Sequence, residues 1–131
     1  MKQIYHLFVN GTPKAQPRHR TTARGHVYNP SSADAWKNEI KMAFHSCRQP
    51  TIIGPARLKV LFCMPVPNGK NIEEGSPHTS KPDTDNLFKA VMDAMTAVGV
   101  WKDDALVSDV TAGKFYARGA TGAQIIVETD F

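Results

Sequence analysis

Acidic residues are missing from the first 33 positions of this 131-residue chain, which meanwhile carry Lys2, Lys14, Arg18, Arg20 and Arg24. Basic surface of that kind suits a polyanion such as nucleic acid. Cysteine is scarce: Cys47 and Cys63 share no CxxC and no short metal-ligand spacing. Both fall at positions expected to be buried, so they read as reduced core thiols. Five histidines form no HxxxH or HExxH pattern, which argues against a zinc site. No apolar run approaches the roughly 18 residues a membrane span requires. The opening "MKQIYHLFVNG" makes a poor signal peptide and a good first strand, so a cytoplasmic protein is expected.

What the N-terminus lacks is concentrated further on. Residues 83–109 hold six aspartates, at 83, 85, 93, 103, 104 and 109, against Lys89 and Lys102. That window sums to −4 and the remainder to +8. Such an acidic focus repels phosphate unless cations neutralise it. The combination asks for a metal.

The length is that of one domain. "IYHLFV" (4–9) reads as a strand closed by "NGTP", and residues 12–25 as a polar, basic loop or ribbon, with a short strand at "HVYN". A helix follows, capped by Ser31 or Ser32, with Ala33, Trp36, Ile40, Ala43, Phe44 and Cys47 at helical spacing. Residues 56–64 form a strand with one face well buried. Residues 65–82 contain four prolines and two glycines, a long loop of the kind that is usually functional or mobile. A second helix, a strand from "VWKDDALVSDV", and a terminal hairpin "GKFYAR–GATG–AQIIVET" complete an α+β domain over 1–131. Trp36 and Trp101 are expected in the core or an interface.

The second helix carries the chemistry. In "KPDTDNLFKAVMDAM" (81–95), Asp83 or Thr84 can cap the helix at the positive end of its macrodipole. Leu87, Val91, Ala94, Met95 and Val98 form an apolar stripe widened by Phe88 and Met92; Asp85, Lys89, Asp93 and Thr96 lie opposite. A single aspartate there is ordinarily a cap, and an Asp–Lys–Asp ladder ordinarily a solvated face. Capping needs only one acid, however, and "DTD" with "DD" eighteen residues on supplies converging hard oxygen donors. Two metals about 4 Å apart activate water and stabilise the leaving oxygen in phosphodiester hydrolysis. Lys89 suits charge stabilisation on a scissile phosphate; Asp93, about 12 Å along the helix from Asp85, reads as structural. The seven residues from Val98 to Asp104 reach about 23 Å extended. Asp103 or Asp104 can thus return to the helix start if the chain doubles back promptly; alternatively the site is completed across a dimer. Both routes stay open.

"KPDTDNLFKAVMDAM", "VWKDDALVSDV" and "GKFY", with the basic "GTPKAQPRHR...GHVYNP", resemble the RusA-type Holliday junction resolvases of the prophage-like branch, over nearly the whole chain. The motif residues are Asp83, Asp85, Asn86, Leu87, Lys89, Asp103, Asp104 and Val107, with Phe88 at a variable position. The resemblance implies a RusA-like α+β fold with a mixed sheet and two main helices. It also implies a homodimer of bacterial or phage origin that uses Mg²⁺, or Mn²⁺ in its place, to cut a four-way junction symmetrically. Asp83, Asp85 and Asp104 match the metal-binding aspartates and Lys89 the catalytic lysine, with Asp103 a further ligand candidate. A two-fold dimer presents two equivalent sites to two equivalent phosphates.

Lys14, Arg18, Arg20 and Arg24, with Lys81 and Lys114, are the candidate phosphate contacts, and His78 and Lys70 weaker ones. Two rival readings accompany the resolvase: a metal-dependent nuclease acting on flaps, single strands or other branched DNA, and a non-catalytic DNA-binding module whose acids only cap and repel.

Overall fold

Alternation builds the sheet. Along β4 (Ala56–Pro65) the side chains of Ala56, Leu58, Val60, Phe62 and Met64 are buried, while Lys59, Leu61 and Pro65 face outward. A computed structural model of the chain describes residues 2–17, 20–21, 27–28 and 33–129. Its elements are β1 (Lys2–Asn10), a two-residue-per-strand ribbon of β2 (Arg20–Thr21) and β3 (Val27–Tyr28), α1 (Asp34–Cys47), β4, α2 (Thr84–Ala97), a 3-10 turn (Asp104–Leu106), β5 (Val107–Ala117) and β6 (Gly122–Thr129). The main sheet has the order β1-β6-β4-β5. β4 and β5 are parallel; β6 runs antiparallel to both β4 and β1. The result is the expected α+β domain with a mixed sheet and two main helices.

The expected terminal hairpin does not form. β5 and β6 are consecutive in sequence, yet β4 lies between them. Glycine signals a reversal without saying which neighbour the returning strand joins. Here burial decides: Ala123, Ile125, Val127 and Thr129 are buried along β6, which suits a strand partnered on both sides, whereas much of β5 is exposed and takes an edge. β6 begins at Gly122, with φ +145°, where an added Cβ would fall 1.9 Å from the Val9 carbonyl oxygen. Only glycine lets β1 and β6 approach there.

Both helices cover one face. α1 contributes Trp36, Ile40 and Phe44; α2 contributes Leu87, Ala90, Val91, Ala94 and Met95. They meet Tyr5, Val9, Leu58, Val60, Phe62, Ile125 and Val127 in one core. Burying a side chain such as Leu87 stabilises by about 1.5–3 kcal/mol. Trp36 and Trp101 are core residues, the latter donating its indole N–H to Thr96 Oγ1 at 2.7 Å. The cysteines depart from expectation: both are free, but Cys47 is exposed and Cys63 half-buried. Cys47 ends α1, where the apolar stripe has run past the sheet, and Cys63 falls on the odd positions of β4, facing away from the helices. Burial, and secondarily Glu74, still push the Cys63 thiol pKa up. The N-cap of α1 is Ala33, with no side-chain cap bond; Ser31 and Ser32 lie outside the described residues.

Candidate metal and nucleic-acid site

Lys114 organises the start of α2. Its side chain projects to the helix side of β5, and Nζ donates to the carbonyl oxygens of Ser80 at 2.5 Å and Pro82 at 2.7 Å. The loop from 66 to 83 is further held along the last residues of β5. Gly75 N–H donates to Tyr116 O, Tyr116 N–H to Ser76 O, and His78 N–H to Lys114 O, at 2.9, 2.9 and 3.1 Å. His78 is buried there against Tyr116, ring centroids 4.7 Å apart, with Nδ1 unpaired. Burial first, then the Lys114 charge, lower its pKa. This enclosed imidazole is not the surface phosphate contact expected of it.

Asp83 occupies the N-cap of α2 in extended geometry, φ −69° and ψ 146°, yet its carboxylate makes no cap bond. It accepts instead from Lys81 Nζ at 2.8 Å, and that lysine is 85% exposed. Asp85 follows in the first turn, exposed, one oxygen accepting from the Asn86 N–H at 2.9 Å. Two carboxylates thus face solvent at the positive end of a 14-residue helix. Lys89, one turn on, is exposed and lies 3.9 Å from Asp93, a distance at which an i,i+4 pair contributes only about 0.3 kcal/mol. The Asn86 carbonyl accepts from Gln16 N–H at 3.0 Å, so the chain carrying exposed Lys14 passes beside Asp85. Arg18 and Arg24 lie outside the described residues, and Arg20 is described only as backbone.

Asp103 and Asp104 sit elsewhere. After α2 the chain pairs with the segment before β4: Ile52 N–H donates to Val100 O and Lys102 N–H to Ile52 O, each at 2.9 Å. It then enters β5 beside the first residues of β4, Ala56 opposite Val107. Asp103 Oδ1 accepts from Ala105 N–H at 2.9 Å and caps the 3-10 turn; Asp104 is exposed, with no hydrogen bond or ion pair among the described residues. The helix start is tied to the far end of β5, near Lys114, and its end to the near end. Asp104 is therefore separated from Asp85 by about 21 Å, the rise of fourteen helical residues. Among the described residues no three His, Cys, Asp or Glu side chains converge to hold a metal. The prompt doubling back within one chain does not occur, because residues 98–104 are consumed by the pairing with Ile52. Asp109 is spent differently again, 2.7 Å from Arg57 Nε.

Sequence reasoning missed the Lys114 clamp and the His78–Tyr116 contact. The alternation in "GKFY", which sets Lys114 and Tyr116 on one face of β5, is the signal that pointed there.

A domain of this topology, with a carboxylate pair and a lysine at one helix start beside a basic segment, has the parts of a nuclease. The sequence profile described as Endodeoxyribonuclease RusA matches residues 10–128. The crossover junction endodeoxyribonuclease RusA of Escherichia coli K12 is 32% identical over 97 residues, covering 74% of this chain and 72% of that protein. The Shigella sonnei protein of the same name matches to the same extent. An uncharacterised Bacillus subtilis protein, YqaN, is 34% identical over 123 residues, 84% of this chain and 86% of its own. This chain belongs to the RusA endodeoxyribonuclease family.

Proposed function

We propose that the protein is a Mg²⁺-dependent, structure-specific endodeoxyribonuclease that resolves four-way DNA junctions by paired symmetric cuts, acting as a homodimer in the bacterial cytoplasm. The observation that carries this is the exposed Asp83–Asp85 pair at the start of α2, with Lys89 one turn on. A family of endodeoxyribonucleases supplies the reaction class. Related proteins named crossover junction endodeoxyribonucleases supply the substrate.

The donor set fits a hard divalent cation in kind, since an Asp83 carboxylate not used for capping and an exposed Asp85 are oxygen ligands two residues apart. Within one chain the set is incomplete. Asp104, and Asp103 as a further candidate, would join Asp83 and Asp85 from a second copy. When bound, a divalent cation supplies Lewis-acid polarisation of the scissile phosphate and a more acidic attacking water. Lys89 meets the negative charge that develops on the phosphate. Lys14, Arg18, Arg20, Arg24 and Lys81 contact the DNA backbone and set its position. Lys114, its ammonium already held by two carbonyls, acts as a positioning residue for Asp83 instead.

Incubating the protein with a labelled four-way junction, a flap and a linear duplex, each with Mg²⁺ or EDTA, tests the reading. Paired symmetric nicks on the junction alone, abolished by EDTA, are expected. Preferential flap cleavage transfers the assignment to a flap nuclease. Binding without cleavage by wild type and Asp85→Asn alike removes the enzyme.

A further inference from the structure

β5 is an edge strand with two unlike halves. Its last residues are covered by the loop, whose backbone bonds Lys114 and Tyr116. Among the described residues, no backbone group outside β4 bonds residues 107–113. Lys114 and Tyr116 turn their peptide groups to the outer edge, so alternation turns those of Ser108, Val110 and Ala112 the same way. An open edge is a template for another strand, and proteins usually blunt it with lysine, proline or a bulge. The other edge, β1, carries a bulge between Gln3 and Tyr5. The stretch "VSDVTAG" carries none of these, and its only charge, Asp109, is paired with Arg57 of its own chain.

We infer that residues 107–113 of β5 pair antiparallel with the same residues of a second copy, joining two four-stranded sheets across a two-fold axis at Val110. This rests on the reading of the site as shared between two copies. The geometry is self-consistent. Val110 opposes itself and Ser108 opposes Ala112, so every outward peptide group meets an outward peptide group. The open stretch of one chain ends at 113, where the loop begins to cover the edge. The pairing strand of the other copy begins at Val107, where the 3-10 turn leaves the sheet. The two stretches therefore match in length. Beyond Val107, Asp103 and Asp104 of the second copy arrive beside Lys114 and the loop end it holds. That is the position of Asp83, and it answers how acids a helix length apart within one chain meet.

The test is made on the full chain with Cys47→Ser and Cys63→Ser, which removes both native thiols, and with Val110→Cys added. In a hydrogen-bonded antiparallel pair, Cα atoms about 5.5 Å apart are within disulfide range. Mild oxidation should convert most of the chain to a disulfide-linked dimer, and the two-serine parent none of it. Separately, Val110→Lys sets two ammonium groups face to face at the axis. Light scattering should give a monomer mass with an unchanged circular dichroism spectrum, since Val110 is 43% exposed. A wild-type monomer, a Val110→Lys dimer, or a wild-type dimer that fails to cross-link through position 110 overturns the seam. None of these readings uses cleavage. A dimer linked at 110 that leaves junctions intact refutes the nuclease while keeping the seam. Junction cleavage by a dimer that does not link at 110 does the reverse.

Discussion

Lys114 and Pro82 are 32 residues apart in sequence and joined by a 2.7 Å hydrogen bond from Nζ to the carbonyl oxygen immediately before Asp83. The same ammonium bonds Ser80, so one side chain on β5 sets the corner from which α2 starts. Lys114→Met keeps the stem and removes the charge. The expected loss is about 1.5 kcal/mol, the low end for bonds to a charged donor because one of them is exposed to solvent. It is measurable as a lower urea midpoint at an unchanged slope. Junction cleavage should fall more than junction binding, because the helix start moves while the basic segment stays. An equal loss of binding, with a salt slope shallower by about 0.9, would make Lys114 a phosphate contact instead.

Asp85→Asn should abolish cleavage and leave stability within about 0.5 kcal/mol of wild type, since the side chain is exposed and the N-cap is Asp83. Asp104→Asn should behave alike. Mixing the two inactive variants under conditions of subunit exchange discriminates cis from trans. If Asp104 serves the other copy, each mixed dimer has one intact site and one doubly damaged site. Nicking of one strand then returns without paired cutting. If each chain completes its own site, every site in the mixture keeps one lesion and nothing returns.

Helix α2 was legible in the sequence because its signals agree: the 3.6-residue stripe, the proline before it and the aspartate at its cap. So were β1, β4 and the burial of Trp36 and Trp101. Sheet order was not. A glycine turn between "FYAR" and "AQIIVET" encodes a reversal, while the insertion of β6 between β1 and β4 depends on which strand is apolar on both sides. The acids themselves were visible as a charge cluster. Their separation was not, since it follows from residues 98–102 pairing with Ile52, a contact no local pattern announces. Cys47 was misjudged because a helical stripe continues in sequence past the point where the sheet beneath it ends.

The carboxylate-free N-terminal stretch predicts a salt signature. Arg18→Ala with Arg20→Ala should weaken junction binding and flatten the log–log dependence of affinity on salt. The slope should change by about 0.9 for each phosphate that the variant no longer neutralises. The cut positions should stay where they are, because backbone contacts position DNA and carry no base information. Titrating binding between low and physiological salt measures this. An unchanged slope would take the loop off the DNA surface.

His78 predicts how stability depends on pH. Its ordinary pKa is 6.5, and in the folded chain burial, followed by the nearby Lys114 charge, lowers it; the backbone bond made by His78 opposes the shift. The folded state therefore holds fewer protons than the unfolded state between the lowered value and 6.5. Unfolding free energy rises with pH wherever the unfolded state binds more protons. The stability held above 6.5 is lost as pH falls from there through the folded-state value. Tyr116 lies against the ring and stays neutral across this range, so the titration belongs to the imidazole. Urea unfolding at pH 7.5 and at steps down to 5 should show the decline. His78→Phe, which keeps an aromatic ring against Tyr116, should remove that part of the decline while carboxylate titration at lower pH persists. If the two proteins lose stability in parallel between pH 7.5 and 5, the buried imidazole is not the group responsible.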